Sequence, residues 1–363
     1  MPNEHVVVAM SGGVDSSVAA LLLAREGRRV TGVTMDIWCP TGELGGVRAQ
    51  GCCGAESAQD AADVCERLGL EHHVLNFRRA FEADVIAPFV EAYAAGRTPN
   101  PCLDCNRAIK WGALLQWAQA LGADALATGH YARTLDTARG TVLARGADPS
   151  KDQSYALYML SPAQLARTRF PLGELTKAQT RRVAAEAGLP VAERKESQEI
   201  CFLPDDDYRR LVRERAPEAL RPGPVLTAAG EQLGEHPGLA GYTVGQRKGL
   251  GLAGGPWYVV RLDPARNALI VGSEEDAHSS EITVAQLHLS AAAAGDRFGA
   301  TVMTRYRGPE RPAEITVQGD AARVRFLTPH RAPAPGQAAV FYQGEVVLGG
   351  GIIAGPGPPL HCS

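Results

Sequence analysis

No stretch of the chain stays apolar for the ~18 residues that a membrane helix needs, so a transmembrane span is not expected. Met1–Met10 carries an apolar run without a basic flank or a small-residue cleavage site, so no secretory leader is expected there. A dominant charge is lacking too: 37 Lys and Arg against 40 Asp and Glu leave a net charge of −3. That balance argues against a globally basic nucleic-acid binder but leaves room for a local basic groove, because binding follows the distribution of charge. No internal repeat is present. Eight cysteines without an export signal point to the reduced cytosol, where thiols serve chemistry or metal more often than disulfides. A cytoplasmic location is the expectation.

What is present is ordinary for a globular protein: 45% hydrophobic and 21% charged residues in a chain of 363. That length exceeds what one core usually organises, and predicts two or three domains. Val6–Met10 suits a buried parallel strand. Ser17–Glu26 reads as a helix stopped by Gly27, and Val30–Trp38 as a second strand. Helices at Ser57–Leu68, Ala80–Ala95 and Asn106–Leu121 alternate with strands at His73–Phe77 and Ala125–Thr128. The alternation predicts an α/β domain over residues 1–205, with a parallel sheet covered on both faces. Thr168–Leu189 reads as helical, with Thr176 as an N-cap. Beyond Asp206 short β-like runs alternate with Gly and Pro turns: Gly241–Gly254, Trp257–Leu262, Ala268–Val271, Ala300–Tyr306, Ala322–Phe326 and Ala338–Val347. They predict a small central domain at 206–280 and a barrel-like β domain at 281–356, with a disordered tail at 357–363.

Ser11-Gly12-Gly13-Val14-Asp15-Ser16-Ser17 lies between the first strand and the first helix. Its two glycines permit a tight turn that brings bare amides near an anion, and the helix N-terminus adds donors and partial positive charge. The Walker lysine is missing, which excludes the ordinary P-loop. The segment resembles the SGGxDS loop of the N-type ATP pyrophosphatases, which adenylate a substrate oxygen and release pyrophosphate. Asp15 is a candidate oxygen ligand for Mg²⁺ beside such a leaving group.

Two thiol-bearing segments stand out. In Thr98-Pro99-Asn100-Pro101-Cys102-Leu103-Asp104-Cys105-Asn106 a CxxC precedes a helix, so Cys105 is expected at a helix start, where the dipole favours thiolate. Half a zinc site or a redox pair are alternatives, but no second CxxC or spaced His pair completes a zinc set; Cys52-Cys53 and His72-His73 are adjacent doublets. Cys201, between Ile200 and Phe202, reads locally as a core residue or a second reactive thiol. Cys65 falls on an apolar helical face and is expected to be structural. Cys39, Cys52, Cys53 and Cys362 receive no role.

Together, SGGVDSS at 11–17, GRTPNPCLDCNRAIKW at 96–111, ATGHYAR at 127–133, KDQSYALY at 151–158, ESQEICF at 196–202, GYTVGQRKGLG at 241–251, Arg305-Tyr306 and FYQGEVVLGGGII at 341–353 resemble the bacterial tRNA-specific 2-thiouridylases. The likeness spans nearly the whole chain. It implies ATP-dependent 2-thiolation of a wobble uridine in tRNA, with Cys105 as nucleophile and Cys201 as persulfide carrier. It further implies ATP contacts from Ala9, Met10, Ser11, Gly12, Gly13, Val14, Asp15, Ser16, Met35 and Gly129. By the same resemblance, His130, Lys151, Asp152, Gln153, Arg305, Tyr306 and Gln343 would contact tRNA, and Asn100, Pro101 and Cys102 would face the target base. Many relatives carry Asp where this chain has Cys102, so the general base is left open. Sulfur would come from a cysteine desulfurase or a relay protein.

Chemically, an external reductant must reset the disulfide that two meeting thiols form. Arg209, Arg210, Arg213 and Arg215 in the central domain, and Arg305, Arg307 and Arg311 in the β domain, are candidates for phosphate contacts. A different route would place a [4Fe–4S] cluster on Cys102, Cys105 and Cys201. Two other readings are a cysteine-independent N-type synthetase and a non-enzymatic RNA binder with a degenerate loop.

Overall fold

The computed structural model describes residues 3–37, 55–138, 140–194, 200–203, 207–290, 295–331 and 333–356. Trp38, Cys39, Cys52, Cys53, residues 195–199 and the tail at 357–363, Cys362 included, lie outside them. Among the described residues no helix is long and apolar enough to cross a membrane.

The N-terminal region is a five-stranded parallel sheet in the order β3-β2-β1-β4-β7, made of β1 (His5–Met10), β2 (Arg29–Asp36), β3 (Glu71–Asn76), β4 (Ala125–Thr128) and β7 (Thr168–Arg169). Every residue of β1 is buried. Its side chains alternate between two cores, as the period-2 pleat requires. Val6, Val8 and Met10 meet α1 (Val14–Arg25), α2 (Ala55–Leu68) and α8 (Lys177–Glu186), whereas Val7 and Ala9 meet the helical run from Arg78 to Ala120. A strand buried on both faces needs no polar alternation, which is why Val6–Met10 reads as one apolar run.

The crossovers through α1 and α2 carry the chain from β1 to β2 to β3. The helices that follow return it past β1 to β4: α3 (Arg78–Phe81), a π-type stretch Glu82–Ile86, α4 (Ala87–Ala94), α5 (Pro101–Asp104), a second π-type stretch Cys105–Leu114, and α6 (Leu115–Ala120). Strand order therefore reverses between β1 and β4, the switch point where open α/β sheets leave a crevice at their carboxyl ends.

Several sequence expectations need correction. Thr168–Leu189 is not one helix: Thr168–Arg169 joins the sheet edge, and α8 starts after Thr176, whose side chain forms a capping box with Gln179. Gly241–Gly254 contains no strand beyond a short 3₁₀ turn at Leu239–Gly241, because Gly245, Gly249, Gly251 and Gly254 all adopt positive φ and coil the segment. The helix expected at Asn106 begins five residues earlier. Asn100 caps it by accepting from the Cys102 amide at 3.1 Å, and Pro101 sits at the first helical position.

The central region carries α9 (Tyr208–Arg215) and a four-stranded sheet in the order β10-β11-β8-β9, from β8 (Gly223–Thr227), β9 (Gln232–His236), β10 (Tyr258–Asp263) and β11 (Ala268–Gly272). α9 is not a solvated arginine helix on all sides. Leu211 and Val212 enter the larger N-terminal core, Tyr208 stacks on Tyr93 at 4.2 Å, and Arg215 pairs with Glu82 at 2.6 Å.

The C-terminal region forms a closed antiparallel barrel. β12 (His278–Leu289), β15 (Ala321–Arg331), β14 (Glu310–Gln318), β13 (Arg297–Met303), β16 (Ala338–Gln343) and β17 (Val346–Pro356) follow one another, and β12 pairs back on β17. Closure removes the exposed edges that an open sheet would present. A hairpin from the N-terminal region, β5 (Ala132–Thr137) and β6 (Gly140–Arg145), adds to β17. Arg145 lies 3.7 Å over the Tyr342 ring and pairs with Asp152 and Glu310, so the barrel and the ATP-type domain share a cation-centred joint. α7 (Pro162–Ala166) completes the helices.

His330 is buried at one end of the barrel, its Nε2 2.5 Å from Thr304 Oγ1. Burial first, then the charges of Arg311, Arg305 and His278, push its pKa down to about 4. In the unfolded chain histidine titrates near its ordinary 6.5, so on acidification the unfolded state takes up this proton first. The stabilisation from a neutral His330 is complete above about pH 6.5 and is lost as pH falls toward about 4. Melting temperature measured by calorimetry across that window should drop more steeply for the wild type than for His330→Gln. Equal slopes would contradict the assignment.

Candidate active site

The phosphate-type loop occupies the carboxyl end of β1. Gly12 has φ +66°, and a Cβ there would lie 2.4 Å from the Ser57 carbonyl oxygen, so only glycine lets the loop sit this close to α2. Ser16 Oγ donates to the Gly13 carbonyl at 3.2 Å and accepts from the Ser11 amide at 3.1 Å; Ser17 Oγ donates to the same carbonyl at 2.9 Å. These bonds hold the loop in shape while no side chain caps the start of α1. The first-turn amides thus stay available to an anion, with the helix dipole behind them.

Gly129 follows β4 and closes the crevice from the other side. A Cβ on it would fall 2.7 Å from both Asp15 C and Ser16 N. The structure therefore brings Gly129 against Asp15 and Ser16 at the start of α1. Ala9 and Met35 are buried in the core beneath it, on neighbouring strands, and Met10 and Val14 are buried on the opposite side of the sheet.

Asp15 is engaged by groups that local sequence did not reveal. Both its oxygens accept from Lys177 Nζ, at 2.7 and 2.8 Å, and the Tyr131 hydroxyl donates to Oδ1 at 2.8 Å. A cation at Asp15 would have to share or displace that ammonium, so the carboxylate is not a ready Mg²⁺ ligand in this arrangement. Arg194 spans the other flank, donating to the Gly12 carbonyl at 3.1 Å and pairing with Asp60. Lys177 and Arg194 thus flank the loop, each paired with a carboxylate, Asp15 and Asp60.

Cys105 sits one turn inside its helix rather than at the start, so the dipole acts more weakly on it than expected, whereas Cys102 lies in the first turn and is exposed. From Cys105 the helix widens to π-type bonding, and Gly112 permits it: a Cβ there would lie 3.1 Å from the Arg107 carbonyl, five residues earlier. Cys105 and Cys201 are both half-buried and both pack against the same large core. Phe202 fixes the second thiol's neighbourhood, meeting Phe81 and Phe89 edge-on at 5.7 and 5.3 Å. None of Cys65, Cys102, Cys105 and Cys201 is in a disulfide. Cys65 is fully buried, its thiol pushed up to about 11 by burial, and is inert packing against Gly32.

His130 is tied down rather than presented. Its Nδ1 lies 2.8 Å from Thr128 Oγ1 and its Nε2 3.4 Å from Lys110 Nζ, while Lys110 also donates to Asn106 Oδ1 at 2.9 Å. Burial and then Lys110 hold its pKa well below the usual histidine range. A neutral ring accepting from lysine at Nε2 would carry its proton on Nδ1, toward Thr128. Asn106 in turn donates to the Ala156 carbonyl at 2.7 Å, so the thiol helix is cross-tied to the region around 128–156.

Asp152 and Gln153 are joints. Asp152 accepts from the Gly146 and Ser154 amides at 3.1 and 3.0 Å, and Gln153 Oε1 accepts from the Tyr131 amide at 3.0 Å. Lys151 is half-buried beside them. Arg305, Tyr306, Arg307 and Gln343 are exposed on the barrel, with Arg311 close by on β14. Tyr155 and Tyr306 approach to 6.0 Å, which places the Arg305-Tyr306 turn next to residues 151–155. The Arg305-Tyr306 turn and residues 151–155 are thus neighbours, while Pro101 is buried and Asn100 and His130 are half-buried, Asn100 at the edge of a cleft.

Among the described residues no three His, Cys, Asp or Glu side chains gather as a metal site. Cys102, Cys105 and Cys201 are consequently not assembled as ligands for an iron–sulfur cluster in this arrangement.

A Gly-rich loop at a sheet switch point, a helix bearing two thiols and a closed barrel set the chain among multi-domain α/β proteins with a parallel-sheet N-terminal domain. Family models match along the chain: the tRNA methyl transferase HUP domain at 4–205, the tRNA methyl transferase PRC-barrel domain at 209–273 and the aminomethyltransferase beta-barrel domain at 279–353. The tRNA-specific 2-thiouridylase MnmA of Chloroflexus aggregans is 51% identical over 97% of this chain and 99% of its own length. That of Moorella thermoacetica is 49% identical over 96% and 98%. The chain belongs to the tRNA-specific 2-thiouridylase family. The solved U34-tRNA thiolase NcsA of Methanococcus maripaludis, with its [4Fe-4S] cluster, aligns at 20% identity over 60% of this chain and 67% of that one, with a TM-score of 0.36, a likeness too slight to carry inference.

A methyl group at Gly129 would push the start of α1 away from β4, an overpacking that costs roughly 1–3 kcal/mol. Gly129→Ala should therefore weaken ATP binding at least about tenfold by calorimetry. Unchanged affinity would remove Gly129 from the nucleotide site.

Proposed function

We propose that the protein thiolates carbon 2 of a wobble uridine in tRNA, consuming ATP to AMP and pyrophosphate. The observation that carries this reading is the shared placement of Cys105 and Cys201 against one core, on the face of the sheet opposite α1. A reading that needs no cysteine pair would leave that arrangement without a purpose.

The uridine carbonyl oxygen is a poor leaving group until it is bonded to phosphorus. It attacks the α-phosphate of ATP, pyrophosphate departs against the loop amides, and the base becomes an O-adenylate. A persulfide on Cys201 then attacks carbon 2 through its terminal sulfur, and AMP leaves. The base is now joined to Cys201 through a disulfide. The Cys105 thiolate attacks the Cys201 sulfur, the bond to the transferred sulfur breaks, and its electron pair completes the thiocarbonyl. A Cys105–Cys201 disulfide remains, and a dithiol reductant returns both thiols. Mg²⁺ would act on the phosphates from ATP oxygens and water, as it usually does, rather than from a protein cage.

The target base must leave the anticodon loop to reach this crevice, which single-stranded loops permit. Arg305, Arg307 and Arg311 on the barrel would hold the tRNA backbone, with Lys151 across the joint. Asn100 and Cys102 lie beside the entry to the thiol helix and would meet the base. Cys102 cannot serve as the carboxylate that many relatives carry there. Asp104, whose carboxyl burial pushes up against the pull of Arg107 at 3.1 Å, is the acid next to Cys105. The sulfur donor would be a cysteine desulfurase or relay protein, and the reduced cytosol would suit thiols that are not in disulfides.

In an assay with unmodified tRNA, ATP and a cysteine desulfurase, Cys105→Ser and Cys201→Ser should each abolish 2-thiouridine, read by nucleoside mass spectrometry. Both should still bind ATP like the wild type. Full product from either variant would defeat the proposal.

A further inference from the structure

The segment Gly96–Asn100 joins α4 to the thiol helix, and all three regions of the chain meet on it. The Thr98 amide donates to the Pro335 carbonyl at 2.8 Å, and Gln337 Nε2 donates to the Thr98 carbonyl at 3.0 Å, so the barrel holds both backbone groups of one residue. The Thr98 hydroxyl donates to Thr243 Oγ1 of the central region at 3.1 Å. Two glycines make room for the contact. A Cβ on Gly336, at φ +93°, would lie 2.9 Å from Thr98 N, and one on Gly96, at φ +67°, would lie 3.0 Å from Pro264 Cγ. Two residues later Asn100 caps the helix that carries Cys102 and Cys105.

On its outer side the thiol helix stands apart from the barrel. A cleft of about 270 Å³ opens between Asn100, Leu103, Asp104 and Arg107 on one side and Gln286 and His288 on the other. Behind that gap Leu103 shares a buried core with Ala338, Val340 and Tyr342 of the barrel, so the far side of the helix is packed, while its N-terminal end is tied to the barrel through the bonds at Thr98. Thr98 contributes no atom to the chemistry. It decides where Cys105 stands relative to a base held by the other domains.

We propose that Thr98 is a positioning residue, clamped by Gln337 and Thr243, that sets the thiol helix in register with tRNA docked on the barrel and central regions. The inference rests on the thiolation reading above. Loss of the clamp lets the helix start shift, and a shift of ~1 Å at a reacting group costs orders of magnitude in rate. Adenylation and the attack of the Cys201 persulfide that frees AMP are not affected, because the nucleotide loop hangs from β1, Cys201 lies outside the thiol helix, and none of these bonds involves either.

The test is a single-turnover reaction of persulfide-loaded enzyme with tRNA and ATP, reading AMP and 2-thiouridine from the same sample. Thr98→Val and Gln337→Ala should release AMP at the wild-type rate but form 2-thiouridine at least about tenfold more slowly. Thr98→Ser, which keeps the hydroxyl, should restore the wild-type ratio. A ratio of thiouridine to AMP that stays at the wild-type value in both variants overturns the inference, whether the two products fall together or not at all. Failure of the wild type itself to make 2-thiouridine would instead overturn the functional reading, so the two outcomes are distinct.

Discussion

β1 is the strand on which the whole arrangement hangs. With all six residues buried and its side chains divided between two cores, it joins α1 and the nucleotide loop on one face to the helices of the thiol side on the other. A polar residue at Val7 or Val8 would have to be desolvated in a sheet with no solvent face, so the strand tolerates little change. The nucleotide loop is built directly out from this strand, whereas the thiol helix packs on its other face through Val7 and Ala9 and is entered through the segment Gly96–Asn100. The crevice at the β1–β4 switch point is where that geometry becomes useful.

Charge is arranged by the same logic of distant partners. Lys177 neutralises Asp15 from a helix 162 positions away, and Arg194 reaches the Gly12 carbonyl across 182. Burial first and then Lys110, itself held by Asn106, push the pKa of His130 well down. Charged pairs thus frame the loop, Lys177 with Asp15 and Arg194 with Asp60, while the overall charge of the chain is slightly negative. A balanced total with local concentrations of cation suits an enzyme that must grip a polyanion at one surface and release it.

Much of this was legible in the sequence, for physical reasons that differ by region. The loop at 11–17 is a local device, in which glycines, hydroxyls and a helix start are contiguous, so its place between strand and helix could be read directly. The apolar run of β1 and the period of the helices gave the parallel sheet. Hidden features are those made by residues far apart. The hairpin 132–145 adds to a strand that begins 201 positions later, at Val346, and no window of sequence shows that pairing. Glycine at 241–254 reads equally well as β turns or as coil, and only the positive φ values decide. Asn100 and Pro101 did carry the signal for an earlier helix start, as a cap followed by a first-position proline; weighting them over the polar residues that follow would have placed Cys105 correctly.

The region around Cys105 differs from a rigid core in one respect: a wide π-type helix on one side and an open cleft on the other. Both features leave the backbone near the thiol less packed than the sheet that carries the nucleotide loop. Sulfur transfer would bring the Cys201 persulfide to the base first and Cys105 to Cys201 afterwards, and a helix with open space on one side suits that order. The most direct measurement is non-reducing peptide mass spectrometry of persulfide-loaded wild-type enzyme after one turnover with tRNA and ATP. One Cys105–Cys201 disulfide for each 2-thiouridine formed is the expected result; thiouridine produced with both thiols still unbridged would contradict the mechanism.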